Sequence, residues 1–289
     1  MVERATERET PVVPGARTAD GAPSPELRRT GVSVDDEVLH PVEGDLLLDA
    51  DEFDLYQEAQ RALRETARLV ERARFAQTAI GGSVGQPSAL IGIVEGGKLV
   101  RWAPGTVLSY CVLRRTFPRS EWYEEVVENM LLATGDWSMT CGVEFRYVDS
   151  ADGSESLRPP EVLFPVRHIN ANGAFIASAF FPNDPAHRRR VLIDPSYHDT
   201  DFDHVGVLRH ELGHSLGFRH EHISSGAPAV CPDEDATGTL DLTAYDPKSV
   251  MHYFCGGVGA RDLAITDVDR AGSQLVYGPP LASFQAVSA

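Results

Sequence analysis

The sequence has no long apolar run. No stretch approaches the roughly 20 consecutive apolar residues that a membrane-spanning helix requires, so we expect no membrane partner. Basic residues are also scarce: 26 Lys and Arg face 43 Asp and Glu, and the net charge at pH 7 is −17. A surface of that charge repels phosphate backbones, which argues against nucleic acid as a partner.

Cysteine is sparse as well, and no two cysteines have the CxxC spacing. A zinc site built from cysteines is therefore disfavoured. The four cysteines allow two disulfides in an oxidising compartment, although free buried thiols remain the alternative. Cys231 and Cys255 flank one loop region, so we favour that pair over a bridge between Cys111 and Cys141.

The N-terminal region lacks the apolar core of a secretory signal peptide as written. Its content of Pro, Gly, Ala, Thr and charged residues predicts a flexible tail over residues 1–35. Residues 36–97 form a second segment, with a predicted helix at 51–75 and a Gly-rich linker at 77–97. A main domain is expected at 98–278, followed by a short tail at 279–289.

The main domain alternates strand patterns with helix patterns, which predicts a mixed α/β (α+β) fold. Residues 120–134 read as an amphipathic helix that ends at Gly135, and Asp203 is a candidate cap for a helix reaching about Leu216. Thr266 and Asp269 form a capping-box pattern for a last helix over 265–278. Strands are predicted at 142–149, 173–181 and 189–197.

His210 and His214 are four residues apart, so on a helix they lie on one face, one turn apart. Two such imidazoles can bind one metal ion, and Glu211 beside them can reach a water at that metal. This is the HExxH arrangement of zinc hydrolases. The alternative is an amphipathic helix that carries surface histidines.

Gly217 turns this pattern into a three-ligand site. Glycine ends a helix in a positive-φ conformation at little cost, and the chain can then bring His220 back as the third ligand. Catalytic zinc sites have three protein ligands and one open position. We therefore predict Zn²⁺ as the cofactor and Glu211 as the general base.

The stretch HELGHSLGFRH (210–220) resembles the extended zinc motif of the metzincin metalloproteases. Downstream, SVMHYF (249–254) resembles the Met-turn of that clan, in which Met251 would pack beneath the histidines. The sequence is most similar to the astacins, through the continuation of His220 as His-Glu-His and the Ser-x-Met-His-Tyr pattern. It departs from them in lacking the Arg and Asp that usually follow His-Glu-His, and in its cysteine positions.

The resemblance implies a secreted, monomeric zinc endopeptidase that acts on protein or peptide substrates. Its fold would be a twisted mixed sheet with an active-site helix, followed after Gly217 by an irregular C-terminal subdomain. Tyr253 would be a further zinc ligand that stabilises the oxyanion once it swings aside. Glu221 would hold the matured N-terminus or its surroundings, and residues 173–181 would be an edge strand that pairs with extended substrate.

The resemblance also implies a latency device within residues 36–97, which would then be a pro-segment and linker. Astacins use the Asp of a Phe-x-Gly-Asp stretch, and VEGD (42–45) is similar, with Val42 in place of Phe. Asp45 would occupy the open position of the metal, and cleavage within 77–97 would release it. A simple Gly-Asp turn is the alternative. A non-catalytic zinc-containing peptide-binding module and a non-peptide amidase are the alternatives for the whole chain.

Overall fold

The computed structural model describes residues 31–61, 89–232, 234 and 236–281. Within them, four helices are α1 (50–61), α2 (Ser120–Thr140), α3 (His204–Ser215) and α4 (Asp267–Tyr277). The strands are β1 (Val32–Val34), β2 (Glu37–Val42), β3 (Leu46–Leu48), β4 (Ala89–Glu95), β5 (Lys98–Leu99), β6 (Val107–Val112), β7 (Glu144–Tyr147), β8 (Phe164–His168), β9 (Ala177–Ser178), β10 (Val191–Ile193), β11 (Phe218–Arg219) and β12 (Thr239–Thr243).

The main sheet has five strands in the order β7-β6-β8-β10-β9. The pairs β6–β7, β6–β8 and β8–β10 are parallel, and only the edge strand β9 runs antiparallel to its neighbour. Strand β10 is buried throughout and β8 is buried except at His168, as is typical of parallel strands covered by other elements. The sheet is therefore mixed, and with its helices it confirms the predicted α/β (α+β) class.

Helix α2 continues past Gly135, so the prediction that it ends there was wrong. Trp137 and Thr140 lie on its buried face beyond the glycine, and their burial favours a longer helix. A Cβ at Gly135 would meet nothing within 4 Å, so this position faces open space. Glycine in a helix interior costs only about 1 kcal/mol relative to alanine, and packing outweighs that cost here.

Helix α3 begins and ends where the sequence predicts. The Asp203 side chain accepts a hydrogen bond from the Gly206 amide at 2.6 Å and caps the helix. After Ser215 the chain turns at Gly217, whose φ is +93°. A Cβ there would lie 2.7 Å from the Val100 carbonyl oxygen, so both the conformation and the close approach require glycine.

The chain after Gly217 forms a second, more irregular unit, arranged around β4. Strands β11 and β12 each pair antiparallel with β4, which therefore lies between them. Helix α4 follows with the predicted capping box between Thr266 and Asp269. Strand β4 precedes residue 98, so the structure places part of the predicted linker inside this sheet. Residues 62–88 lie outside the described residues, as does the end of the helix predicted at 51–75.

The upstream segment is a three-stranded antiparallel sheet, β1-β2-β3, followed by α1. Val34 and Leu39 pack with Phe175 and Leu192 of the main sheet region, and a second apolar cluster contains the residues Val42, Leu46, Phe53 and Phe181. Of the strand predicted over 173–181, only Ala177–Ser178 is extended in a ladder. Among the described residues, no helix is long and apolar enough to cross a membrane.

Candidate metal centre

Three histidine side chains and one carboxylate converge at the end of α3. Nε2 of His210 and of His220 each lie 3.2 Å from Oδ2 of Asp45, and Nε2 of His214 lies 3.6 Å from it. His214 and His220 bring their Nε2 atoms to 3.2 Å of each other. The four residues are buried, and the sequence motif and the upstream segment thus meet at one point.

Two of the imidazoles are oriented by backbone carbonyls. Nδ1 of His210 donates to the Val250 carbonyl at 2.7 Å, and Nδ1 of His214 donates to the Phe218 carbonyl at 2.8 Å. Because a carbonyl can only accept, the proton stays on Nδ1 and each Nε2 presents a lone pair to the centre. Burial lowers the pKa of His214 to about 4, which favours the neutral ring that a metal requires.

His220 is oriented by a carboxylate instead. Its Nδ1 hydrogen-bonds Oε2 of Glu234 at 2.9 Å, and both side chains are almost fully buried. Burial lowers the pKa of His220, but the carboxylates of Glu234 and Asp45 outweigh it and raise the pKa well above its ordinary value. The pKa of Glu234 falls to about 2, because the neighbouring charges of His220 and His222 outweigh its burial.

Asp45 reaches the histidines from the turn between β2 and β3. Burial raises its pKa, but the charge of His220 and hydrogen bonds from all three histidines outweigh that effect and hold the pKa well below its usual range. Its second oxygen, Oδ1, is buried without a hydrogen-bond partner. A carboxylate held this deeply needs a positive charge opposite it.

The spacing of these atoms fits zinc. Two ligand atoms about 2.0–2.1 Å from one tetrahedral zinc lie about 3.3 Å apart, and the separations here are 3.2, 3.2, 3.2 and 3.6 Å. Three imidazole nitrogens and one carboxylate oxygen are a donor set that zinc accepts. Atoms this close need a shared proton or a cation between them, and the raised pKa of His220 supplies the proton when no metal is bound. The donor set and the separations therefore fit zinc in place of that proton.

Glu211 lies beside the histidines without joining them. Its carboxylate accepts a hydrogen bond from the Ala179 amide, just after the edge strand β9, while Oε2 is buried without a partner. Burial, and then the charge of Asp45, raise its pKa well above the usual value. A buried carboxyl group thus lies between the three histidines and the sheet edge.

Tyr253 contacts the upstream segment. Its hydroxyl donates a hydrogen bond to the Glu43 carbonyl, and its ring lies against that of His220, tilted by 38°, with centroids 4.1 Å apart. Gly44 has a φ of +87°, and a Cβ there would lie 2.8 Å from the Tyr253 hydroxyl oxygen. Residues 43–45 therefore pass directly over the phenol and the histidines.

The residues of the SVMHYF stretch (249–254) lie behind α3. Met251 is fully buried, and a Cβ at Gly213 would come within 2.3 Å of its sulfur, so the turn packs closely against the helix. Glu221 is buried and accepts hydrogen bonds from the Leu90 amide at 2.7 Å and the Asp246 amide at 2.9 Å. It thus joins β4 to the segment that leads into the SVMHYF stretch.

The cysteines divide as the favoured pairing predicts. Cys231 and Cys255 form a disulfide, and it joins the segment that carries Glu234 to the segment that follows Tyr253. Cys111 and Cys141 are buried free thiols rather than a second bridge. Burial raises the pKa of both thiols to about 12, so neither is a reactive thiolate near neutral pH.

Two features of the site have no local sequence signal. Glu234 lies 14 residues beyond the third histidine, in a loop whose path depends on β12 and the disulfide. Arg219 pairs with Glu43 at 2.7 Å, and Glu43 is nearly fully buried. Burial and repulsion from Glu234 raise the pKa of Glu43 to about 8. Glu43 lies two residues before Asp45, and nothing in the VEGD stretch indicates that it pairs with Arg219.

Comparisons with known proteins do not assign this chain to a family. No protein-family model matches the chain, and no curated protein matches it. A solved structure titled "Structure of myroilysin" is similar at 17% sequence identity and a TM-score of 0.47, over 66% of this chain and 100% of that chain. Functional inference therefore depends on the residues of the site itself.

Proposed function

We propose that this chain is a zinc endopeptidase of the astacin-like type, held latent by Asp45. The observation that carries the proposal is the set of four ligand atoms at near-tetrahedral separations, three from the HExxHxxGxxH stretch and one from the upstream segment. Zinc, when bound, supplies Lewis-acid chemistry and lowers the pKa of a water molecule to about 7.

In this proposal Glu211 is the general base. It accepts the proton of the attacking water and passes it to the leaving amine. Its burial beside the histidines and its contact with the Ala179 amide support the role, because they fix the carboxylate between the ligands and the edge strand. A zinc module that only binds peptides has no need of this carboxylate.

Tyr253 is proposed to stabilise the oxyanion with its hydroxyl, once the upstream segment has left. The same hydroxyl here donates to a peptide carbonyl, that of Glu43, which is the kind of acceptor that a substrate presents. The edge position of β9 supports binding of an extended peptide by main-chain pairing, and so favours a protein substrate over a small amide.

Latency follows from the placement of Asp45. Its carboxylate fills the fourth position of the ligand set, and the neighbouring backbone covers Tyr253. Cleavage within residues 77–97 would separate this segment from the catalytic part. The upstream residues 36–97 are therefore proposed to be a pro-segment and linker, of which β4 stays paired with β11 and β12 after cleavage.

The deciding experiment follows the intact mass of the purified chain over time, beside Glu211→Ala, with zinc content measured for both. We expect the wild type to be cut within residues 77–97 and the variant to stay whole while binding the same zinc. If neither changes, the linker is nicked by an added protease and casein hydrolysis is measured. No Glu211-dependent hydrolysis after nicking would refute the endopeptidase and favour the binding module. Cleavage of small amides without casein would favour the amidase.

A further inference from the structure

Glu234 belongs to no motif, yet its carboxylate contacts two histidines at once. Oε2 hydrogen-bonds Nδ1 of His220 at 2.9 Å, and Oε1 lies 2.9 Å from Nε2 of His222. The Glu234 side chain is only 2% exposed. The rings of His220 and His222 are near-parallel, with centroids 5.5 Å apart.

His220 differs from the other two proposed ligands in this partner. His210 and His214 donate to neutral carbonyls, whereas His220 faces a carboxylate. A carboxylate on Nδ1 keeps the proton there, aims Nε2 at the metal and raises the electron density of the ring. Partners of this kind change metal affinity by about 10- to 100-fold when removed.

The charge balance of the site gives a second reason to connect Glu234 with zinc binding. Three neutral imidazoles leave the two positive charges of zinc uncompensated, and Asp45 supplies one negative charge only while the upstream segment is docked. Among the described residues, Glu234 is the carboxylate that hydrogen-bonds a proposed ligand from within the catalytic part of the chain. It stays in place when Asp45 departs.

We propose that Glu234 is a positioning residue for the third metal ligand, holding His220 by its Nδ1 and sustaining zinc affinity after the upstream segment leaves. The inference rests on the proposed zinc site. Two other roles are distinguishable by experiment. Glu234 could serve only to hold its loop, or it could join His220 and His222 as ligands of a second metal ion, since their ligand atoms lie within 4.8 Å of one another.

The test measures the zinc dissociation constant by chelator competition for the full chain and for Glu234→Ala and Glu234→Gln. Asp241→Asn is the control, because its carboxylate binds Ser225 in the same subdomain, away from the histidines. We expect one zinc per chain throughout, affinity lowered about 10- to 100-fold in Glu234→Ala and less in Glu234→Gln, and no change in the control. Glutamine keeps an acceptor for Nδ1 but loses the charge.

A spectroscopic readout separates positioning from loop stability. In imidazole ¹H–¹⁵N spectra of the zinc-loaded chain, the Nδ1–H signal of His220 should move upfield in Glu234→Ala, while those of His210 and His214 stay in place. Zinc affinity within twofold of wild type in both variants overturns the proposal. So does a loss of metal-free thermal stability with unchanged affinity, or a fall from two zinc ions to one.

Failure of this inference is distinguishable from failure of the proposed function. If the wild type binds zinc but hydrolyses no protein after nicking, the endopeptidase is wrong while the role of Glu234 is still decided by the affinities. If Glu234→Ala does not fold, the nearly isosteric Glu234→Gln carries the comparison, and unchanged affinity there refutes the role. A wild-type chain that binds no zinc refutes both.

Discussion

Asp35 joins the upstream segment to the main sheet through an arginine cluster. Its carboxylate accepts bidentate hydrogen bonds from Arg167 at 2.8 and 3.1 Å and a longer one from Arg158 at 3.3 Å, with Arg190 3.9 Å away. Arg167 and Arg190 are only 4% and 5% exposed. Without Asp35, two buried guanidinium groups would lose their closest carboxylate.

We expect Asp35→Asn to weaken docking of the β1–β2 hairpin by about 3 kcal/mol. Removing one partner of a buried ion pair costs about 3–5 kcal/mol, and the lower end applies because Asp35 is 11% exposed. That cost corresponds to an increase of about 100-fold in the equilibrium constant for opening. Asparagine also tolerates the positive φ of +57° at this position, so backbone strain does not confound the comparison.

Native-state hydrogen exchange is the assay, because it reports local opening of the hairpin separately from global unfolding. Amides of β1 and β2 should lose about 100-fold in protection, and Asp36→Asn, an exposed neighbour, should lose none. Arginine charges outweigh burial and lower the pKa of Asp35 below its ordinary 3.8, so its stabilisation is present above that pH and is lost as pH falls through the folded-state pKa. The reasoning is refuted if Asp35→Asn and Asp36→Asn exchange alike at neutral pH.

Three further outcomes are expected. Asp45→Ala should raise the peptidase activity of the uncut chain by about 10- to 100-fold, which is the equivalent of losing one charge-assisted contact. The activity is measured on a quenched fluorescent peptide, with the nicked wild type as the reference. Equal activity of the variant and the uncut wild type would contradict the latency proposal. Gly217→Ala should destabilise the fold by about 1–3 kcal/mol in urea unfolding, because of its φ of +93° and the Val100 carbonyl at 2.7 Å; an unchanged midpoint would show that the turn relaxes freely. Replacing Cys231 and Cys255 by serine should lower the free energy of unfolding by about 3 kcal/mol, because the bridge spans a separation of 24 residues. A reductant should lower the free energy of unfolding of the wild type by the same amount and leave that of the variant unchanged.

Local signals predicted the helices around the site well. The caps at Asp203 and Thr266 are short-range hydrogen bonds that depend on a few neighbouring residues, and both form as predicted. The predicted end of α2 was wrong because a glycine ends a helix only where no buried residues follow it on the same face. Trp137 lies past Gly135 and donates to the Arg209 carbonyl of α3, a contact that the local pattern of α2 does not contain.

The convergence of His210, His214 and His220 was predictable because helical spacing and one glycine determine it. Asp45 was predictable only through resemblance, since nothing in a Gly-Asp pair specifies a contact with α3. Glu234 was missed because its position depends on the path of the loop after His220 and on the disulfide, and no spacing rule describes such a loop. Pairing of β4 with β11 and β12 was missed for the same reason: long-range register leaves no mark on either strand alone.

The contact between Gly44 and Tyr253 makes two distant positions interdependent. A side chain at 44 would collide with the phenol, and the positive φ of Gly44 would also be strained for any residue with a Cβ. Replacing the tyrosine by a smaller residue would relieve the collision but leave the backbone requirement. In related chains we therefore expect residue 44 to stay glycine wherever the tyrosine is kept, and to vary in size only together with position 253. The residues around Tyr253 thereby limit which upstream sequences can pass over them.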